Sequence, residues 1–161
     1  MAQRARRHWV RQAPRAMLVA MPTNSLRSSP MMGHLMNALD SGQDIGHYGR
    51  LVFAIVARYF MSADDVGGWL MKNPDVSRED AAGLMHQIET HGYSPPTRRR
   101  VLEWQGHQDF PICPNPGDPD GCNVYRDLVF PDEVYERIEE YHFQKVRPQP
   151  APAIRSTPGG R

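Results

Sequence analysis

Between Ile45 and Phe60 apolar side chains return every three or four positions, at Ile45, Tyr48, Leu51, Val52, Ile55, Val56, Tyr59 and Phe60. That is the period of a helix buried along one side. Phe53, Ala54 and Ala57 widen the apolar surface until only a narrow strip with Arg50 and Arg58 stays polar, which predicts a central helix packed on more than one side. The same period places a helix before it, capped by Ser29, with Pro30 in its first turn and Met32, Leu35, Met36 and Leu39 inward, until Ser41-Gly42 ends it. After it, Ser62-Ala63-Asp64-Asp65 and Ser77-Arg78-Glu79-Asp80 have the pattern of capping boxes. They open helices that turn Val66, Trp69 and Leu70, then Ala81, Leu84, Met85 and Ile88, towards a core, the second stopping at Gly92. A further helix starts at Ser94-Pro95 and carries Val101, Leu102 and Trp104. A last one spans 132–143, with Val134, Tyr135, Ile138 and Tyr141 or His142 inward. Pro111, Pro114, Pro116 and Pro119 predict an irregular loop over 106–130, with a short strand at Val124–Phe130. The expected fold is mainly α: a compact bundle of about five helices with a long Pro-rich loop.

A length of 161 residues suits one domain with tails. The expected divisions are a basic disordered arm over 1–28, a helical domain over 29–145 and a disordered Pro/Gly-rich tail over 146–161. Charge sharpens that division. Residues 1–27 hold six arginines and no acid, and residues 144–161 hold Lys145, Arg147, Arg155 and Arg161, again without an acid. The central 28–143 therefore holds all 18 acids against nine Lys and Arg, a balance of −9. Phosphate affinity needs clustered cations, so any nucleic-acid contact is expected at the tails or at Arg98-Arg99-Arg100. The apolar run Ala16–Met21 is too short for a signal peptide or a membrane span. The expectation is an unsecreted protein of the cytoplasm, nucleoid-associated, or of the nucleus, with no membrane partner. The first segment reads as a basic arm, with an organelle transit peptide as the alternative.

Chemistry concentrates between His91 and Pro131. Cys113 and Cys122, with His107 six residues before the first, offer three ligands of the types that hold zinc or iron, and His91 or His142 could supply a fourth. The Cys-x8-Cys spacing fits equally two free thiols, or a disulfide in an oxidising compartment. Zinc, a degenerate four-iron cluster and no metal at all stay open. Arg98, Arg99 and Arg100 fall in the first turn of a helix, where the macrodipole disfavours cations and a bound phosphate would offset the repulsion. Paired with acids such as Glu103, they would instead form a solvated face. Tyr93, just before, is placed to stack on a base or sugar. His47 and Arg50 flank Tyr48 at the head of the central helix. No Ser-His-Asp set, paired carboxylates, His-Glu-x-x-His or phosphate-cradling glycine loop occurs, so a self-contained active site is not expected.

The order of these features resembles the iron–sulfur domain of the large subunit of archaeal and eukaryotic DNA primases. His47-Tyr48-Gly49-Arg50 followed by Leu51-Val52-Phe53 is similar to that family's apolar helix, Ser62-Ala63-Asp64-Asp65-Val66 to its acidic helix, and Tyr93-Ser94-Pro95-Pro96-Thr97-Arg98 to its Tyr-x-Pro-Pro-Ser-Cys segment. Cys113 and Cys122 stand for the last two of its four cluster cysteines, while Met31 or Met32 and Thr97 or Arg98 stand where the first two would be. The resemblance covers residues 29–131. It implies a non-catalytic helical domain that holds template and primer for a catalytic primase subunit or another replication protein. The implied nucleic-acid contacts are Arg50, Tyr93, Arg98, Arg99 and Arg100, with His47, on single-stranded DNA or a primer–template. The alternative from another class is a small helical protein–protein adaptor with no nucleic-acid role.

Overall fold

A computed structural model describes residues 25–138; the expected arm up to residue 24, the end of the last expected helix with Tyr141 and His142, and the expected tail over 146–161 lie outside the described residues. The fold is mainly α, with no strand among the described residues. Contacts divide the chain into two units, 1–129 and 130–161. The first carries α1 (Pro30–Asp40), α2 (Gly46–Ala57), α3 (Ala63–Leu70), α4 (Arg78–His91), α5 (Arg98–Gln105) and α6 (Val124–Asp127). In the second, residues 132–138 are helical, and the Tyr135 hydroxyl accepts the Phe130 N–H at 2.9 Å.

Helix starts follow side-chain caps. Ser29, Ser62, Ser77 and Thr97 each accept a backbone N–H of the first turn, satisfying donors that have no partner inside the helix. At α4 the box is complete, because Asp80 also accepts the Ser77 N–H. Gly92 closes α4 in the left-handed region, φ 63°, which glycine adopts without a Cβ clash.

As the periodicity predicts, α2 is the centre: it touches α1, α3, α4 and α5. Every residue from Leu51 to Ala57 is buried, and Phe53 is 0% exposed. Around it lie Met31, Met32, Leu35 and Leu39 of α1, Val66 and Leu70 of α3, Met85 and Ile88 of α4, and Val101 of α5. Asn73, 1% exposed, is a buried polar residue whose amide spends its atoms on the backbone: Oδ1 accepts the Ile45 N–H at 2.8 Å, and Nδ2 donates to the Pro74 carbonyl and to Asp44. It thereby fixes the entry to α2 against the turn after α3.

Three expectations change. The helix read from Ser94-Pro95 starts at Arg98, because Thr97 supplies the cap while Pro95 and Pro96 stay extended and buried. The expected strand at Val124–Phe130 is instead the short helix α6, started by Asn123, whose side chain accepts the Tyr125 N–H. Residues 25–28, assigned to a disordered arm, are ordered, helical at Ser25 and Leu26 and then a turn, and Arg27 bonds Asn37 at 2.8 Å and pairs with Asp40 at 3.7 Å. No described helix is long and apolar enough to cross a membrane.

Candidate nucleic-acid interface

The head of α2 and the length of α5 meet in a row of rings. Tyr48 stacks on Trp104, centroids 5.6 Å apart and planes 25° from parallel, while His47 meets Tyr48 edge-on at 5.2 Å and His107 tilts beside it at 6.2 Å. Both Tyr48 and Trp104 are half-buried, so part of each ring faces solvent. Gln108 pins this shelf. Its Oε1 accepts the Tyr48 N–H at 2.9 Å, and its Nε2 donates to the carbonyls of Ile45 and Phe110 at 2.8 and 3.0 Å. Gly46 makes that approach possible: its φ is 80°, and a Cβ there would lie 2.6 Å from Gln108 Cδ.

The three arginines separate in role. Arg98 turns inward, Nη2 donating to the Pro116 carbonyl at 2.6 Å, with Nε buried and unpartnered. Arg99 is exposed and pairs with no acid among the described residues. Arg100 lies over Trp104, 5.7 Å from the ring centroid, and pairs with Glu103 at 3.4 Å. Of the three, Arg100 alone is held against the shelf, while Arg99 stands unpaired in the first turn of α5, a helix start that favours anions.

Tyr93 stands elsewhere. It stacks on His91 at 5.3 Å, 6° from parallel, accepts a 3.4 Å bond from Gln87 at its hydroxyl, and its carbonyl accepts Arg58 Nη2 at 2.8 Å. Arg58 ends α2 and Tyr48 begins it, roughly 15 Å away at 1.5 Å per residue. Tyr93 thus does not join the shelf, although both aromatic pairs border the segment that holds the arginines. His47 and Arg50 face a cleft beside α4; Arg50 is tied to Asp44 at 3.2 Å.

The expected metal ligands are not brought together. Cys113 and Cys122 are joined in a disulfide, His107 lies against Tyr48, and among the described residues no three His, Cys, Asp or Glu side chains are grouped to hold an ion. A four-iron cluster needs four thiolates. Here Met31 and Met32 are fully buried in the core, Thr97 caps α5, and Arg98 bonds the loop, so these residues do not fit the cluster. The crosslink instead closes a loop stitched to α5 at both ends, by Arg98 on Pro116 and by the Cys113 N–H on Gln105 at 2.8 Å. The Tyr125 hydroxyl, donating to the Pro95 carbonyl, ties the far side of the loop to the turn before α5. Disulfides persist in oxidising surroundings, so this crosslink runs against the expected cytoplasmic or nuclear setting rather than with it.

Two carboxyls beside α2 are held below the usual range. Asp44 is lowered first by the Gly46 N–H, then by Asn73 and Arg50, against some burial. Asp80 is lowered first by the Ser77 N–H, then by further bonding to Ser77 and by Arg50. A depressed folded value stabilises the fold above the ordinary 3.8, and that contribution disappears as pH falls through the lower folded value. Stability should therefore drop as the solution is acidified through and below the ordinary carboxylate range, and an Asp44→Asn/Asp80→Asn chain should show a shallower drop in denaturant midpoint over the same window. Equal drops in the two chains would contradict this.

The sequence matches no protein-family model, no curated protein and no solved structure.

Proposed function

We propose that this chain is a non-catalytic nucleic-acid-binding accessory domain of a primase-like system, which holds a single strand or primer–template for a catalytic primase subunit or another replication protein. The observation that carries this reading is the Tyr48–Trp104 shelf with Arg100 held over its ring, on the helix that also exposes the unpaired Arg99. Aromatic faces beside cations bind single strands without reading sequence, because every base offers a π-face and every nucleotide a phosphate. The ordered resemblance of residues 29–131 to the primase large-subunit domain supplies the system. Two of that family's four cluster positions carry no thiol in this chain, and the other two, Cys113 and Cys122, lie close enough to pair with each other. The proposed setting is the cytoplasm or nucleus, where thiols are kept reduced; no contact of the shelf passes through either sulfur.

Arg99→Ala should weaken binding of a labelled single-stranded oligonucleotide and reduce the slope of log affinity against log salt by about 0.7, the share of one phosphate on a single strand. An unchanged slope would remove Arg99 from the interface.

A further inference from the structure

A cleft of about 440 Å³ opens between α2, α4 and the turn after α3. Its polar rim holds Asp44, Asp75, Asp80 and Arg50, and Val76, Ala81 and Leu84 give it an apolar wall. Three carboxylates face one guanidinium there. Arg50 is already engaged by Asp44, whereas Asp75 is exposed and pairs with no cation among the described residues. Such a cleft repels phosphate. It suits a guanidinium on an aliphatic stem, the stem against the apolar wall and the planar fork on a carboxylate.

The chain itself carries that chemistry next door. Residues 1–24 hold Arg4, Arg6, Arg7, Arg11 and Arg15 and no acid. They join the described structure at Ser25, two residues before Arg27. Arg27 pairs with Asp40, and the other oxygen of Asp40 binds Lys72 at 3.0 Å. Lys72 is two residues before Pro74, on the wall of the cleft. The described chain thus begins at a turn linked through Asp40 and Lys72 to the segment that lines the cleft. Ten residues, the separation of Arg15 from Ser25, reach up to about 33 Å when extended. Tethering at this distance corresponds to an effective concentration on the order of millimolar, so even a weak contact is populated.

We propose that the first 24 residues dock on their own domain by seating an arginine in the cleft between α2 and α4. The contact is electrostatic and intramolecular, and neither Tyr48 nor Trp104 lines the cleft that takes it. It therefore stands or falls independently of nucleic-acid binding.

The test compares amide spectra of the full chain with those of a full-length variant in which Arg4, Arg6, Arg7, Arg11 and Arg15 are all replaced by Gln. Shifts are expected at Val76, Leu84 and Gln87, with Trp104 unmoved. They should vanish in about 0.5 M salt, where the screening length is only a few ångströms. In an Asp75→Lys background the same arginine replacements should shift the cleft far less, and a synthetic peptide of residues 1–24 added to the Gln variant should restore the original positions. Unmoved cleft amides would overturn the proposal. So would equal shifts in the Asp75→Lys background, or shifts that grow with protein concentration, which would assign the arm to a second copy.

Discussion

Trp104→Ala should weaken single-strand binding by roughly 5- to 150-fold, corresponding to the ~1–3 kcal/mol that an aromatic side chain contributes by stacking on one base. Trp104 is half-buried, leaves ring surface to solvent and is braced from behind by Tyr48 at 5.6 Å. The brace matters because a base gains most from a ring that is already fixed; a free indole would lose rotamer entropy on binding. Arg100 sits over the same ring and would lose its own support on truncation, so the expected loss includes part of a phosphate contact. Trp104→Phe should keep most of the affinity, since it retains a π-face at the same place. Fluorescence anisotropy with a labelled oligonucleotide decides the matter. An alanine variant that melts like the parent and binds as tightly would exclude the shelf from the interface.

Phe53→Ala should cost roughly 3–5 kcal/mol of folding stability, the range for emptying a buried aromatic site. The side chain is fully buried in α2, the helix that touches four others, and its ring lies 6.2 Å from that of Trp69 on α3. Neighbours from several helices cannot all collapse into the space, so little of the cavity would be refilled. Because domains of this size are typically stable by only about 5–15 kcal/mol, the variant should lose a large share of its total. Denaturant unfolding measures this directly. A loss below about 1 kcal/mol would mean that α2 is not the centre of the core.

Most of the helices were legible because their signals are local. The three- and four-residue steps of Leu51, Val52, Ile55 and Val56, the serine caps and Gly92 each act within one or two turns. The strand expected at Val124–Phe130 failed for a local reason too: Asn123 caps a turn that Val124 to Asp127 complete. The candidate site was only half legible. Arg99 and Arg100 were visible as a cation run, whereas Tyr48 was read as one more member of the apolar stripe and Trp104 as an inward helix residue. Their meeting joins positions 56 residues apart through a glutamine, Gln108, whose role no spacing rule marks. Arg98 looked the same as its neighbours in sequence, yet Pro116, 18 residues on, takes its guanidinium. The pairing of Cys113 with Cys122 was one of several options the x8 spacing allowed, and the fold closes their Cα atoms to 5.7 Å.

One salt titration tests the central claim most directly: affinity of the full chain and of an Arg99→Gln/Arg100→Gln variant for a labelled single-stranded oligonucleotide. Two lost phosphate contacts on a single strand should lower the slope of log affinity against log salt by about 1.4. Equal slopes in the two chains, or no retention of the oligonucleotide by the parent at low salt, would contradict the account.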